Sequence, residues 1–282
     1  MAAIWGASFI FLRVLAPILG PVVTVFLRAL IAGSGLVVYF SIIKFDIEWK
    51  RYWKKYLIIG AINTALPFFL FAFAALYIQA SYSVILNSTA PFFGAIFSAL
   101  WLGERLTFRR ILGLIIGAVG VTLVVKINGG AANPMFGWAV AACTLGSLCY
   151  GLAATFIKKH GAGARPMGIA AGSQIFAATL LVPVLPFAPI RGEVTFMVAL
   201  GILIFALLCN LIAYLLYYRL VTDVGPTRAL TVTFLMPVFG MIWAMLFLNE
   251  TITISMIAGT ALIIFGTSLI LNMKLPGLAT TN

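Results

Sequence analysis

Apolar residues fall into ten long runs along the chain, separated by short stretches that contain Gly, Pro or charged residues. Because a helix needs about 20 predominantly apolar residues to cross the hydrocarbon of a bilayer, each run predicts one transmembrane helix. The pattern therefore predicts an all-α membrane protein of ten transmembrane helices. The runs cover roughly residues 2–19, 21–43, 55–78, 81–101, 109–127, 135–157, 166–188, 195–217, 226–248 and 252–272.

The composition leaves no room for a soluble domain. Of the 282 residues, 63% are hydrophobic and only 9% are charged, whereas soluble domains carry about 25% charged residues. The formal net charge of +12 comes from short basic clusters between apolar runs. Clusters of this kind indicate membrane topology, and they argue against a nucleic-acid partner. Membrane lipid is the expected surroundings.

The basic residues alternate between loops and so predict an orientation. Those after helices 2, 4 and 6 are basic, and the intervening loops carry little positive charge. Because basic loops stay in the cytoplasm, both termini are predicted to be cytoplasmic. The basic loops contain Lys44, Lys50, Arg51, Lys54 and Lys55; Arg105, Arg109 and Arg110; and Lys158, Lys159 and Arg165.

The two halves of the chain resemble each other at an offset of 146 residues. The matched pairs are Pro91 and Pro237, Glu104 and Glu250, Gly113 and Gly259, and Gly120 and Gly266. A repeat of five helices is odd, so the second copy must enter the membrane from the opposite side. We predict a first repeat over 1–127, a second, inverted repeat over 135–272 and a cytoplasmic tail over 273–282. Inverted repeats are typical of carriers that work by alternating access.

Helices 4 and 9 each contain a proline near mid-membrane. Proline removes a backbone hydrogen bond and kinks a helix, so Pro91 and Pro237 are candidate gating residues. The small residues on the same face are equally typical of close helix packing. For Glu104 and Glu250, at helix ends, capping or pairing is the favoured interpretation.

The polar and aromatic residues predicted near mid-membrane are neutral. Amide and hydroxyl groups can bind both ends of a zwitterion, and aromatic rings suit an apolar side chain or an ammonium group. The pattern favours a neutral or aromatic amino acid or a flat heterocycle, although any single aromatic is more often packing. For Arg28, the base well inside a span, attraction of a substrate carboxylate is one interpretation, but snorkelling or pairing with a helix end is favoured. The candidate substrate-binding residues are Trp5, Asn63, Tyr82, Asn87, Trp138, Tyr150, Asn210 and Tyr214.

The same residues exclude several other functions. The acidic residues fall in loops or at helix ends, so no mid-membrane carboxylate is predicted to carry protons. A single arginine is too little charge for sugar phosphates. His160 stands alone, and Cys143, Cys149 and Cys209 lie in apolar runs, so neither catalytic residues, a metal site nor a cofactor is expected.

Trp5-Gly6, Arg28-Ala29 and the Pro…Glu…Gly…Gly block in each half resemble the EamA family of the drug/metabolite transporter superfamily. Within it the chain is most similar to the YddG-type bacterial exporters of amino acids. The resemblance covers nearly the whole chain. It implies a bacterial inner-membrane protein, a monomer or weak dimer, in which helices 3, 4, 8 and 9, with 1 and 6, surround a central cavity.

The sequence therefore predicts a secondary transporter that exports neutral or aromatic amino acids and related small metabolites. A broad drug or metabolite exporter and a purine exporter remain alternatives. A membrane-embedded enzyme would need a polar cluster that the sequence does not supply. A scaffold would leave the repeat and its paired prolines unexplained.

Overall fold

The computed structural model describes residues 1–127, 134–225, 229 and 232–271, and within these residues regular structure is helical throughout. Each of the ten predicted runs corresponds to one continuous or briefly interrupted helix. The helices are α1 Ala2–Leu19, α2 Pro21–Ile42, α3 Trp49–Ala74, α4 Ala80–Leu102, α5 Phe108–Ile127, α6 Phe136–His160, α7 Pro166–Phe187, α8 Phe196–Asp223, α9 Val232–Leu248 and α10 Ile254–Ile270.

Eight of these helices, α1 to α8, are long and apolar enough to cross a membrane by length and composition. The other two, α9 and α10, are apolar but shorter, with 17 residues each among those described. Large apolar side chains point away from the bundle, such as Leu100 at 78%, Phe108 at 81% and Ile254 at 85% exposure. An apolar exterior of this kind suits a lipid environment and would be costly in water.

Helix ends follow the local chemistry that the sequence indicated. Pro21 and Pro166 occupy the first turns of α2 and α7, where a missing N–H costs nothing. The Thr107 hydroxyl accepts a hydrogen bond from the Arg110 N–H at the start of α5. The predicted helix start at Pro226 and the predicted tail over 273–282 lie outside the described residues.

Two boundaries differ from the prediction by about six residues: α3 begins at Trp49 and not near residue 55, and α8 ends at Asp223 and not near residue 217. Of the basic residues assigned to the preceding loop, Lys44 lies there, but the first turns of α3 contain the other four, Lys50, Arg51, Lys54 and Lys55. Helix forms there because the turns are amphipathic: Tyr52 and Tyr56 are 6% and 1% exposed, while Arg51 faces outward. A hydropathy criterion rejects such a segment because its charged residues lower the mean hydropathy, although one face of the helix is apolar and buried.

The packing of the helices follows a regular scheme. The helix pairs are α5 with α10, α1 with α9, α4 with α6, α2 with α7, α3 with α6 and α7, and α8 with α1 and α2. If α1–α5 are exchanged with α6–α10, so that α1 takes the place of α6 and so on, the same set of helix pairs results.

Glycines allow close backbone contact at three of these pairings. A Cβ added to Gly120 would lie 2.7 Å from the Gly259 carbonyl oxygen, and one added to Gly113 would lie 2.6 Å from that of Gly266. The α1–α9 and α4–α6 contacts use Gly6 and Gly151 in the same way. These helices touch through their backbones, so the α5–α10 glycines are packing residues.

Candidate functional site

A cavity of about 620 Å³ lies at the centre of the bundle. This volume falls within the range of roughly 300–1,000 Å³ that is usual for small-molecule sites. Residues of α1, α3, α4, α6, α8 and α9 line it, as the family resemblance implied, and α2, α5 and α10 also contribute. The wall is mostly apolar and aromatic, with neutral polar groups and four charged residues, Arg28, Glu104, Arg110 and Lys158.

The structure brings six of the eight candidate substrate-binding residues to this cavity. They are Trp5, Asn63, Asn87, Tyr150, Asn210 and Tyr214. The aromatic members pack together: the Trp5 ring lies edge-on to that of Tyr214, with centroids 6.5 Å apart. Tyr150 stacks on Phe71 at 6.0 Å.

Tyr82 and Trp138 are not among the lining residues. Tyr82 is only 6% exposed, and its ring packs edge-on against Phe136 at 5.7 Å, between α4 and the start of α6. Trp138 lies in the first turn of α6 and is 69% exposed. Its outward position is typical of the aromatic belts at membrane interfaces. Tyr82 lies near the start of α4 and Trp138 near the start of α6, and because both runs are apolar from their first turn, the sequence did not separate these residues from deeper ones.

Two π-helical turns place asparagines in the cavity, and the sequence did not reveal these turns. One covers Gly60–Ala65 in α3 and the other Leu207–Ile212 in α8, so they are related by an offset of 147 residues. They contain Asn63 and Asn210, respectively, both of which line the cavity. Isolated π-helical turns are rare and are frequent at functional sites. The signal available in the sequence was the pair Asn63 and Asn210, which are 147 residues apart and not 146.

Arg28 corrects the expectation of a snorkelling side chain. It is 2% exposed and lines the cavity from α2. Its Nη2 donates a hydrogen bond to Asn210 Oδ1, and its guanidinium carbon lies 3.2 Å from the centroid of the Phe68 ring. Among the described residues its Nε and Nη1 have no hydrogen-bond partner. At the repeat-related position in α7 stands Gln174, which is also fully buried.

The cavity reaches toward the end of α4 that carries Glu104. This carboxylate pairs with Lys158 and with Arg110, whose Nη1 is 3.1 Å from Oε2, and all three residues line the cavity. The hydrogen bond from Lys158, with a further one from Arg110, lowers the pKa of Glu104 below its ordinary value. The Lys158 side chain is 63% exposed, which identifies this end as the mouth of the cavity.

The opposite end of the bundle is closed around Glu250. Its carboxylate accepts hydrogen bonds from the N–H groups of Ala80 and Ser81, at 2.7 and 3.0 Å, and from the Ser81 hydroxyl at 2.6 Å. Glu250, which follows the end of α9, therefore caps the first turn of α4. The dipole of α4 also favours a negative charge at this N-terminal end. The favoured interpretation for the two glutamates fits: Glu104 pairs with bases and Glu250 is a cap.

The two prolines behave differently. α4 is interrupted by a turn at Ser88 and Thr89 just before Pro91, which lines the cavity, whereas α9 continues through Pro237, which does not. The Ser88 and Thr89 hydroxyls hydrogen-bond to the carbonyls of Val84 and Leu86, at 3.0 and 2.7 Å. Such back-bonding offers the chain an alternative to the helical ladder.

The repeat-related positions before Pro237 explain why α9 stays continuous. They are Phe234 and Leu235, which have no hydroxyl. The interruption predicted for both helices is therefore present in α4 alone among the described residues.

Other reactive side chains are dispersed. Within the described ranges no three or more His, Cys, Asp and Glu residues are grouped as metal ligands would be. The three cysteines are buried and unlinked. His160 packs against Trp101 and Phe156 at the end of α6.

Comparison with known proteins adds the family. The profile of the EamA-like transporter family matches residues 1–126 and 137–272. Among similar proteins are the uncharacterized transporter YvbV of Bacillus subtilis, 24% identical over 94% of this chain and 87% of that protein, and Protein PecM of Dickeya dadantii, 24% identical over 92% and 86%. The S-adenosylmethionine/S-adenosylhomocysteine transporter of Chlamydia muridarum is 23% identical over 95% and 88%.

A crystal structure of a protein with 17% sequence identity superposes with a TM-score of 0.67. The match covers 95% of this chain and 93% of the other. At this identity the likeness concerns the fold alone.

Proposed function

This chain belongs to the EamA-like transporter family, and we propose that it is a secondary transporter that exports neutral or aromatic amino acids and related small metabolites. The observation that carries the proposal is the central cavity, of about 620 Å³, whose wall is mostly aromatic and neutral polar, with Arg28 as its charged residue away from the ion pairs at the mouth. Asn63, Asn87 and Asn210 offer hydrogen-bond donors and acceptors to a zwitterion. Trp5 and Tyr214 offer ring faces to an apolar side chain.

The proposed mechanism is alternating access between two inverted repeats, each of five membrane-spanning helices. The family profile matches each half separately, and the helix pairings are kept when the halves are exchanged. In the proposed cycle the cavity, with its mouth near Glu104, closes there and opens near Glu250. Pro91 and Pro237 are the proposed bending points.

The proposed orientation places both termini and the mouth of the cavity in the cytoplasm of a bacterial cell, with the chain acting as a monomer or weak dimer in the inner membrane. Basic residues near the mouth, such as Lys158 and Lys159, support this orientation. Glu193→Cys and Ala162→Cys test it, because both positions are exposed in loops at opposite ends of the bundle. An impermeant thiol reagent should label the first in intact cells and the second only after permeabilisation; the reverse pattern would refute the orientation. The native cysteines are buried.

The proposed energy source is the substrate gradient and not proton exchange. Glu104 is the acidic residue in the cavity wall among the described residues, and it is already paired with two bases at the mouth. Its lowered pKa keeps it charged at neutral pH, so it does not load and release protons there.

Flux from proteoliposomes tests the proposal. Vesicles loaded with labelled phenylalanine, tryptophan, methionine, threonine or adenine should release at least one amino acid faster than protein-free vesicles do. Release of adenine alone would favour the purine alternative, and release of no amino acid would refute the leading substrate class. An imposed pH gradient should leave the rate unchanged; strong dependence on it would refute gradient-driven movement.

Asn87→Ala tests the site itself. Its Oδ1 is buried beside the cavity with no hydrogen-bond partner among the described residues, so its removal should cost little stability. Flux should fall while the yield of folded protein stays constant. Parallel losses of flux and yield would assign Asn87 to packing.

A further inference from the structure

Arg28 is a buried cation whose hydrogen-bonding capacity is only partly used. It is 2% exposed, and one N–H of Nη2 is taken by Asn210 Oδ1. Nε and Nη1, which carry three of the five guanidinium N–H bonds, have no partner among the described residues. Leaving buried donors unpaired is costly, so such groups in a cavity wall point to a missing acceptor.

The charge of Arg28 is also uncompensated within the described part of the chain. The ion pairs found there use Glu48, Glu104 and Asp223, and none involves Arg28. The ring of Phe68, 3.2 Å from the guanidinium carbon, covers one face of the group. An anion must therefore approach in the plane of the guanidinium, where the N–H bonds point and where a carboxylate can form two parallel hydrogen bonds.

We propose that Arg28, held in place by Asn210, is a carboxylate-binding subsite of the central cavity, and that the transported molecule carries a carboxylate. This inference rests on the proposed function, because it places the substrate in that cavity. It assigns Arg28, the buried cation among the described residues, a role that its repeat counterpart, Gln174, cannot have as a neutral residue. The subsite is thus built by one half of the chain with the help of a π-helical turn from the other.

The surroundings favour a monoanion over a phosphate. The other basic residues that line the cavity, Arg110 and Lys158, are paired with Glu104 at the mouth. A dianion at Arg28 would therefore meet only one free positive charge. Asn87 Oδ1 is a buried, unpartnered acceptor in the same wall. It suits the ammonium group of a zwitterionic amino acid.

Matched acid and amide probes separate this inference from the proposed function. Binding of phenylalanine, phenylalaninamide, 3-phenylpropionate and 3-phenylpropionamide to the purified full-length chain is measured by isothermal titration calorimetry. At least one acid should bind about tenfold more tightly than its amide. Equal binding within both pairs, or no binding of either acid, would overturn the carboxylate subsite. If only 3-phenylpropionate binds, the subsite stands and the amino-acid proposal fails.

Arg28→Gln introduces the residue that occupies the repeat-related buried position, so the chain should still fold. It should weaken acid binding by about tenfold or more and leave amide binding unchanged. Arg28→Lys keeps the charge without the planar fork and should retain part of the preference for acids. Arg13→Gln is the matched control: Arg13 Nη1 donates to the Ala75 carbonyl, and Arg13 does not line the cavity. An equal loss of acid binding in this control would overturn the assignment.

Asn210→Asp tests the same point without removing the arginine, in case Arg28→Gln fails to fold. The introduced carboxylate would occupy Arg28 as an internal counter-ion. Acid binding should fall as it does in Arg28→Gln, while the thermal stability of the protein should not. Undiminished acid binding in Asn210→Asp would contradict the proposal.

Discussion

Removing the charge of Glu250 should loosen the closed end of the bundle. The carboxylate is 8% exposed and accepts three hydrogen bonds from Ala80 and Ser81 at the first turn of α4. Charge-assisted bonds contribute about 1.5–3 kcal/mol each, but they are not additive, and a glutamine side chain keeps one acceptor oxygen. For Glu250→Gln we expect a loss of about 2–4 kcal/mol, because the new amide NH₂ faces backbone donors.

The measurement is thermal unfolding of the purified protein in detergent. At about 2 °C per kcal/mol for a chain of this size, the Tm of Glu250→Gln should fall by about 4–8 °C. Glu104→Gln is the matched control, since it changes the repeat-related glutamate. Its partners Lys158 and Arg110 are 63% and 21% exposed, and pairs that water reaches contribute about 0–1 kcal/mol each, so its Tm should fall less than that of Glu250→Gln, by no more than about 4 °C.

Equal Tm shifts in the two variants would refute the reasoning, because a buried cap and an exposed ion pair would then contribute equally. Ser81→Ala gives a second measure. It removes the hydroxyl bond and leaves both backbone bonds to Glu250, so it should cost about 1 kcal/mol, clearly less than Glu250→Gln.

Three further predictions concern packing, pH and the bend in α4. Gly120→Val should destabilise the protein by at least about 1–3 kcal/mol in denaturation experiments, because its Cβ would lie 2.7 Å from the Gly259 carbonyl oxygen; Gly137→Val, with open space around it, should not. The pKa of Glu104 is lowered in the fold, so its pairing stabilises the protein fully above the ordinary glutamate pKa of about 4.3, and this stabilisation is lost as pH falls through the lowered pKa. The Tm should therefore fall more steeply with decreasing pH in the wild type than in Glu104→Gln. Pro91→Ala should restore a helical hydrogen bond and slow flux without reducing Tm; an unchanged rate would remove Pro91 from the transport cycle.

The helices could be predicted from sequence because their signal is carried by every residue in a run. Each predicted span has a helix, and the misplaced start of α3 shows the limit: an amphipathic, basic first turn lowers the mean hydropathy while Tyr52 and Tyr56 stay buried. Glycines such as Gly113 and its repeat counterpart Gly259 were recognisable because the repeat doubles the signal. The family itself followed from these same repeated positions.

The site was harder to predict because it depends on which face of a helix turns inward. Trp138 and Trp5 are both tryptophans near the start of apolar runs, yet only Trp5 lines the cavity. The π-helical turns shift that face by part of a turn and have no composition signal of their own. The burial of Arg28 could not be predicted because it depends on packing. A snorkelling side chain needs free space toward the membrane interface, and the packing of α2 against α7 and α8 removes that space.

The location of Arg28 suits a substrate anchor in a molecule with exchangeable halves. α2 and α7 are exchange partners that pack directly on each other, with the Gly33 backbone close to the Gln174 and Ile175 side chains. Under the proposed symmetry this pair lies beside the pseudo-twofold axis, where exchange of the two halves moves atoms least. A charged anchor there can hold a carboxylate in both the inward-open and outward-open states. Asn87 lies on the interrupted α4, and its repeat counterpart Thr233 has no amide. The contact of Asn87 with the substrate should therefore differ between the inward-open and outward-open states. The alternating-access proposal therefore predicts that Arg28→Gln weakens substrate binding from both sides of the membrane equally, whereas Asn87→Ala weakens it more on one side.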